Sequence, residues 1–464
     1  MSIIKLFKGL IHHFKKEKRP TKKTIQPVII PRSEHTISRN VISPNALKVL
    51  YRLHNANYSA YLVGGCVRDL LLGFRPKDFD IATSARPEEV RQLFKNSRLI
   101  GKRFRLAHIV FGKEIIEVAT FRTHHHENAN EKDARMVKGM IVRDNVYGDI
   151  EDDATRRDFT INSLYYNIAD FSVVDYTKGM DDLKHKQLRM IGDPEKRYHE
   201  DPVRLLRAIR FAGKLSLIIS PETEEPILRL SYLLQQVSPA RLFQEVLKFF
   251  REGASLATFK LLQKYHLFAQ LFPETQHALH QQDTFHFIEK ALHDADLRLK
   301  QDKTISPAFL FSVFLWRPIV QASKKAEDAG HPPYVAFEKS IRTVLHAQHA
   351  RLTIPRLMTQ LIREICLLQL QFTYRHDSKP YRLLSHPRFR AAYDLLLLRA
   401  ECGEPIRELA DWWIQFYSNE HAREEMVKTI SKEHIHKKSR RKNRRRNRFR
   451  NHSVLNNSEP ESNI

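Results

Sequence analysis

Two acidic residues separated by one position, Asp78 and Asp80, are well placed in this sequence to bind a metal ion. The apolar residues Phe79 and Ile81 alternate with them, which predicts a strand whose two carboxylates project from one face. Adjacent carboxylates repel each other unless a cation lies between them, and Mg²⁺ combines carboxylate ligands with the phosphate oxygens of a substrate. The pattern therefore suggests metal-assisted phosphoryl or nucleotidyl transfer.

A glycine turn suited to phosphate lies just before the acidic pair. An apolar run at residues 60–63 ends in Gly64 and Gly65, and a helical pattern follows as far as Gly73, which predicts a strand, a tight turn and a helix. Glycines let the backbone approach an anion closely, and a helix start directs unpaired N–H groups to the same place. Either feature alone is usually structural, but their combination, with Arg68 between them, favours a nucleotide site.

These motifs together resemble a known family. The spacing Gly64-Gly65-x-x-Arg68-Asp69, followed by Asp78-x-Asp80, is similar to the head-domain signature of class II nucleotidyltransferases, which include bacterial poly(A) polymerases and tRNA CCA-adding enzymes. The similarity continues to about residue 250, and residues 43–413 resemble the bacterial poly(A) polymerases in particular. The resemblance implies an α+β fold, in which a nucleotidyltransferase head with a mixed sheet flanked by helices precedes all-α neck, body and tail domains.

Composition and the resemblance together predict five segments. They are a basic N-terminal extension and linker (1–42), the catalytic head (43–180), a neck for base recognition and RNA binding (181–255), a helical body and tail that bind RNA (256–425), and an Arg-rich terminal segment predicted to be disordered (426–464).

The formal net charge of +25 is concentrated at the two ends of the chain. Residues 1–32 contain nine Lys and Arg and one acid, and residues 432–450 contain eleven and one. Such segments usually bind a polyanion, either nucleic acid or an acidic membrane surface. The three separated cysteines, Cys66, Cys366 and Cys402, favour a reducing compartment. We therefore expect a cytoplasmic bacterial protein whose basic amphipathic N-terminus is compatible with peripheral membrane association.

The resemblance assigns two further features near the acidic pair. A strand predicted at residues 115–121 contains Glu117, which corresponds to a third carboxylate beside the aspartates, although Glu114 remains an alternative. The basic residues Lys102, Arg103 and Arg105 would form an RNA-binding loop beside the nucleotide. The form of this loop resembles poly(A) polymerases more than CCA-adding enzymes, although a simple charged hairpin is the alternative.

A second motif contains Arg157, Asp158 and Asn162, whose spacing is close to that of one edge of an amphipathic helix. From the residues alone it predicts a helix with an ion pair. The resemblance implies that the three side chains hold the ribose and triphosphate of the incoming nucleotide.

A third motif contains Asp201 and Arg204 at the start of a helix that follows Pro202. The resemblance implies that this pair reads the base. Adenine presents an amine donor beside a ring-nitrogen acceptor, which match a carboxylate and a guanidinium. Guanine and uracil present the opposite polarity, but cytosine matches adenine, so the pair leaves ATP and CTP undistinguished.

The sequence is thus interpreted as a template-independent poly(A) polymerase that uses ATP and two Mg²⁺ ions and promotes RNA decay. Its expected partners are the 3′ ends of mRNA, regulatory RNA and tRNA precursors, with RNA-decay machinery or an RNA chaperone implied by the family. A CCA-adding enzyme is the alternative, and a non-catalytic RNA-binding protein is a distant one. Arginines of the terminal segment would bind phosphate without sequence preference, and those predicted to contact RNA are Arg440, Arg441, Arg444, Arg445 and Arg446.

Overall fold

The computed structural model describes residues 25–101, 105–123, 134–137, 140–144 and 146–430. These residues form two compact units. The head unit comprises the described residues up to Asp201 together with Ile218–Thr223, and the helical unit comprises Pro202–Leu217 and the described residues from Glu224 onward.

The strands belong to the head unit. They are β1 (Val28–Ile30), β2 (Ala60–Val63), β3 (Asp80–Thr83), β4 (Ser97–Ile100), β5 (Leu106–Phe111), β6 (Glu114–Thr120), β7 (Ala134–Val137), β8 (Met140–Asp144), β9 (Leu164–Asn167), β10 (Val173–Asp175), β11 (Gln187–Leu188) and β12 (Ile218–Ile219). Eight of them form one mixed sheet in the order β1-β10-β9-β2-β3-β6-β5-β4, in which only β3 and β6 are parallel neighbours. The predicted mixed sheet of the head is confirmed.

The helices of the head unit are α1 (Pro44–Asn55), α2 (Gly65–Leu71), α3 (Pro87–Leu93), α4 (Ile150–Arg156), α5 (Gly179–Lys184) and α6 (Pro194–Glu200), and the first three pack against strands of this sheet. Helix α1 begins as predicted, because the Ser43 hydroxyl accepts hydrogen bonds from the N–H groups of Asn45 and Ala46 and Pro44 occupies the first turn. Its buried face includes Val49, Leu50 and Leu53.

The predicted helical character of the body and tail is also confirmed, whereas the segment predicted as an all-α neck (181–255) additionally contains the short strands β11 and β12. The helices are α7 (Val203–Leu215), α8 (Pro221–Arg229), α9 (Pro239–Phe249), α10 (Ser255–Lys264), α11 (Leu267–Leu271), α12 (Pro273–Ala278), α13 (Gln282–Lys300), α14 (Pro307–Asp328), α15 (Pro333–Arg351), α16 (Arg356–Gln371), α17 (Lys379–Leu384), α18 (Phe389–Glu401) and α19 (Arg407–Ser418). Among the described residues, no helix has both the length and the apolar composition needed to cross a bilayer.

An aromatic cluster forms part of the core of the helical unit. Phe259, Phe268, Phe272, Phe311 and Phe314 are all buried. The rings of Phe272 and Phe314 lie 4.9 Å apart, and those of Phe259 and Phe268 meet edge to face at 5.1 Å. These contacts join α10, α11 and α14, whose apolar faces the sequence periodicity predicts.

Two local predictions were wrong. Asp78 precedes the strand, because β3 begins only at Asp80. The second motif is not one helix, because α4 ends at Arg156, Arg157 is extended with ψ near 171°, and a short 3₁₀ turn at Thr160–Asn162 leads into β9.

Candidate active site

Three of the predicted carboxylates lie at one cavity of the head unit. The cavity has a volume of about 570 Å³. Asp78, Asp80 and Glu117 line it together with Lys77, Phe79, His108, Lys113, Glu114 and Ile115. The structure thus brings the acidic pair and the predicted third carboxylate together, although Asp78 reaches the cavity from the loop before β3.

The register of the sheet explains this arrangement. In the parallel pair of β3 and β6, Asp80 is the partner of Glu117. In the antiparallel pair of β5 and β6, Glu117 is the partner of His108, and His108 Nε2 lies 3.1 Å from Glu117 Oε1. Side chains at paired positions project from the same face. The sheet therefore places Asp80, Glu117 and His108 side by side, and sequence analysis missed His108 because strand pairing is not visible in one sequence.

Asp80 has an unusual electrostatic environment. Partial removal from solvent and the negative charges of Glu117 and Asp78 together raise the pKa of its carboxyl to about 6, although the positive charge of Arg157 opposes them. Mutual repulsion of this kind favours either a proton or a cation at the cluster. The carboxylates are therefore suited to bind a divalent ion.

The cluster is open. Among the described residues, no three carboxylate, imidazole or thiolate groups already converge closely enough to enclose a metal ion. Mg²⁺ usually takes one or two carboxylates from a protein and completes its shell with water and substrate phosphates.

The contacts of Glu114 bear on the alternative third carboxylate. Its Oε1 accepts a short hydrogen bond from the Ser43 hydroxyl, and its Oε2 accepts one of 2.6 Å from Asn45 Nδ2. Glu114 is thus engaged at the start of α1, whereas Glu117 lies opposite Asp80 and is exposed. This difference favours Glu117.

The glycine turn adopts a backbone conformation that requires glycine. Gly64 has φ of 76° and ψ of −134°, and Gly65 begins α2. A Cβ atom at Gly64 would lie 3.4 Å from Arg157 Nη1, and one at Gly65 would lie 3.4 Å from Arg68 Nη2. Two guanidinium groups thus lie at contact distance from the turn, and the positive φ of Gly64 is the feature that requires glycine.

A chain of hydrogen bonds connects the first and second motifs. Arg68 Nη1 donates to Asn162 Oδ1 at 2.6 Å, and Arg68 also donates to Asp69 Oδ1. Asn162 Nδ2 donates to Asp158 Oδ1 at 3.2 Å. The structure therefore brings together Arg68, Asp158 and Asn162, which the resemblance assigned to nucleotide binding.

Arg157 is held by a buried network. It donates to Tyr165 Oη at 2.8 Å and to Asp153 Oδ2 at 2.9 Å, and the Tyr165 hydroxyl donates to the same carboxylate oxygen at 2.7 Å. Burial favours the neutral forms of both charged groups, but their mutual attraction prevails, so the pKa of Asp153 is lowered and that of Arg157 is raised. Asp153 and Tyr165 thus orient Arg157.

Arg197 is a second residue that sequence analysis missed. Its side chain is buried, and its Nη2 donates to the backbone carbonyls of Arg156 and Arg157. These carbonyls lie where α4 ends, so Arg197 stabilises the extended segment that presents Arg157 and Asp158. Only the i, i+4 spacing of Asp153 and Arg157 gave any signal of this network in the sequence.

Three of the remaining predicted residues lie in the described part of the chain, and the others fall outside it. Asp201 directly follows α6 in the head unit, and Arg204 lies in the first turn of α7 in the helical unit. Arg105 is exposed and pairs with Glu88 at 2.8 Å. Lys102, Arg103 and the five arginines of residues 440–446 lie outside the described residues.

Comparison with known proteins covers most of the chain. Residues 60–189 match the family described as "Poly A polymerase head domain", residues 216–279 match "Probable RNA and SrmB- binding site of polymerase A", and residues 329–448 match "Polymerase A arginine-rich C-terminus". A poly(A) polymerase I of Escherichia coli O6:H1 is 52% identical over 399 residues, which are 84% of this chain and 86% of the relative.

Two further similarities concern CCA-adding enzymes. The enzyme of Lactobacillus helveticus is 40% identical over 203 residues, but these are only 44% of this chain and 49% of the relative. A crystal structure of the Bacillus stearothermophilus CCA-adding enzyme in complex with CTP is 25% identical, with a TM-score of 0.56 over 81% of this chain and 83% of that one. The similarity to the polymerase is thus both higher and more extensive.

Proposed function

Because the chain belongs to the bacterial poly(A) polymerase family, we propose that it is a template-independent adenylyltransferase that adds AMP from ATP to RNA 3′ ends. The observation that carries this proposal is the 52% identity to a poly(A) polymerase over 84% of the chain. The carboxylate cavity of the head unit supplies the corresponding chemistry.

Asp78, Asp80 and Glu117 are the residues that would hold Mg²⁺. When bound, two such ions supply charge neutralisation at the α-phosphate, lower the pKa of the RNA 3′-hydroxyl and stabilise the departing pyrophosphate. Phosphoryl-type transfer needs positioning and electrostatic stabilisation more than covalent help from the protein. Accordingly, the mechanism assigns no protein nucleophile.

The residues around the glycine turn would bind the sugar and triphosphate. Gly64 and Gly65 let the backbone approach phosphate, and Arg68 supplies a guanidinium whose direction Asn162 fixes. Arg157 is oriented by its buried partners before any nucleotide arrives. Asp158, which accepts from Asn162, would accept a hydrogen bond from a ribose hydroxyl. Preorganisation of this kind reduces the entropic cost of binding.

Base choice would fall to Asp201 and Arg204. Their carboxylate and guanidinium match the amine and ring nitrogen of adenine, and they leave guanine and uracil with unpaired polar groups. Cytosine presents the same polarity as adenine, so the selection of ATP over CTP must depend on the size and rigidity of the pocket.

RNA binding would be distributed over basic residues and the helical unit. Lys102, Arg103 and Arg105 would contact RNA near the nucleotide, and Arg440, Arg441, Arg444, Arg445 and Arg446 would contribute sequence-independent phosphate contacts. We place this activity in the bacterial cytoplasm, on mRNA, regulatory RNA and tRNA precursors, where added A-tracts promote decay. RNA-decay machinery or an RNA chaperone are the protein partners that this role implies.

A CCA-adding activity is the second candidate, since a CCA-adding enzyme is 40% identical over 44% of the chain. The test supplies purified protein and Mg²⁺ with a generic single-stranded RNA or a tRNA lacking CCA, and gives ATP and CTP separately and together. We expect long A-tracts on both RNAs, little use of CTP and no arrest after CCA. Accurate CCA restoration that stops on tRNA, without extension of the generic RNA, would overturn the proposal.

A further inference from the structure

The helical unit contains a cavity that none of the assigned functions uses. Its volume is about 420 Å³, within the range of small-molecule sites, and it is bounded by α13, the start of α14, α16 and α18. Apolar side chains form much of its wall, and they are Ile305, Phe309, Leu361, Ile365 and Leu397. These apolar side chains would exclude water from the flat face of an aromatic ring in a bound ligand.

Most of the acidic groups at the cavity already have a cation. Lys290 Nζ forms a short ion pair with Asp294 and lies 3.3 Å from Glu401 Oε2. Arg390 Nε lies 3.1 Å from Asp394 Oδ1. Each carboxylate that lines the cavity therefore has an ion pair with Lys290 or Arg390, while Arg298 acts on Asp394 only through its charge.

The other two arginines that line the cavity, Arg298 and Arg388, lack a good acceptor. Arg388 Nε is buried and has no hydrogen bond among the described residues, and its nearest carboxylate oxygen, on Glu364, is 3.6 Å away. Within the same described part of the chain, no hydrogen bond or ion pair reaches the guanidinium of Arg298. Two guanidinium groups in this state favour an anion, and phosphate accepts several of their N–H donors at once.

The polar part of the wall indicates what else the ligand carries. Asp394 lies on the cavity wall, where burial raises the pKa of its carboxyl despite Arg390 and Arg298. It is suited to accept from an N–H or O–H donor. Thr304 and Ser306 add hydroxyl groups on the α13–α14 loop. Asp394 already accepts from Arg390, but its carboxylate has further acceptor positions, and an amine-bearing base or a ribose can donate to them.

We propose that this cavity binds a nucleotide, with its base against the apolar wall and its phosphate held by Arg298 and Arg388. The same chemistry is available from two sources, a free nucleoside monophosphate or one nucleotide of an RNA strand turned into the cavity. The site is separate from the residues assigned to catalysis, and its argument does not depend on the proposed function.

The test is photolabelling of the full-length protein, in EDTA, with an azido analogue of AMP, followed by peptide mapping. A second arm uses an RNA oligonucleotide that carries the same azido base. We expect labelled peptides from residues 291–309 or 361–401 in at least one arm, and the arm that labels identifies the source. Labelling of the head unit gives different peptides and is counted separately. Absence of label from the cavity peptides in both arms overturns the proposal.

Variants make the assignment specific. The double variant Arg298→Gln and Arg388→Gln should reduce labelling of the cavity peptides by at least about tenfold, because it removes two charge-assisted contacts. Ala391→Leu fills the cavity without changing its charge and should have the same effect. Arg342→Gln, at an exposed arginine of the same unit, is the matched control and should label normally. Normal labelling of the folded cavity variants would refute the site, and equal protection by inorganic phosphate and AMP would refute recognition of the base.

Discussion

Replacement of Asp80 by Asn tests the electrostatics of the carboxylate cavity directly. The pKa of Asp80 is about 6 in the folded protein, against an ordinary value of 3.8, because of partial burial and the charges of Glu117 and Asp78. A carboxyl with a raised pKa destabilises the folded state above that pKa, since the charged form is less favourable there than in the unfolded chain. The penalty disappears as the pH falls below the unfolded value, where both states are protonated.

The size of the effect follows from the two pKa values. Their difference corresponds to an upper bound of about 3 kcal/mol, and screening of an exposed carboxylate by solvent reduces this to about 1 kcal/mol. In EDTA, Asp80→Asn should therefore raise the free energy of unfolding of the head unit by about 1 kcal/mol at pH 8 and leave it nearly unchanged at about pH 3, below the unfolded pKa. Stability rises because the substitution removes one of the three carboxylates that repel one another, Asp78, Asp80 and Glu117.

In the presence of Mg²⁺, the wild type should become more stable than the Asp80→Asn variant. The ion should bind the folded wild type and stabilise it by mass action, whereas the variant would lack one of the proposed ligands and should gain little. Polyadenylation by the variant should be lost. The measurements are urea unfolding at the two pH values, with and without Mg²⁺, and extension of a labelled RNA.

A matched control is Asp411→Asn, which makes the same charge change at an exposed ion pair with Arg407 in the helical unit. It should alter stability by less than about 1 kcal/mol and keep the response to Mg²⁺. The reasoning is refuted if Asp80→Asn destabilises the metal-free protein at pH 8, or if the variant retains substantial Mg²⁺-dependent activity.

Three further outcomes follow from the site. Tyr165→Phe removes the hydroxyl that accepts a hydrogen bond from Arg157, so the free energy of unfolding should fall by about 1–2 kcal/mol. The KM for ATP should rise by a larger factor than kcat falls, and an unchanged KM would contradict the role of the network. Gly64→Ala forces a side chain into φ of 76° beside that arginine and should cost about 1–3 kcal/mol and most activity, whereas Gly73→Ala, at φ of 78° in open space, should keep activity. Deletion of residues 437–464 should weaken RNA binding and flatten its salt dependence with little change in turnover on saturating short RNA, and unchanged affinity at moderate salt would exclude the segment from RNA binding.

Much of the fold was predictable because local patterns determine local elements. The apolar run at residues 60–63 became β2, and Ser43-Pro44 started α1 where capping chemistry places a helix start. The later helices follow from apolar periodicity and proline positions. In the site, the Gly64-Gly65 turn was predictable for the same reason. Gly64 has a backbone conformation that only glycine adopts readily, so the turn can be recognised from the residue type.

Other features depended on contacts between distant segments. The choice between Glu117 and Glu114 depended on the parallel register of β3 with β6, which places Asp80 beside the former. Strand pairing is a long-range property, so no periodicity within either strand contains it.

The second motif shows the same limit in another form. Its spacing predicts a helix, yet Arg157 lies after the end of α4 and donates hydrogen bonds to Asp153 and Tyr165. Arg197 donates hydrogen bonds to the backbone carbonyls of Arg156 and Arg157. The free energy of a buried hydrogen bond to a charged group is larger than the difference in helix propensity between two residues. Tertiary contacts can therefore override the local preference for a helix. The sequence by itself therefore determined which chemical groups are present and most of the elements that carry them, whereas the tertiary structure decided which groups meet and which residues hold them in place.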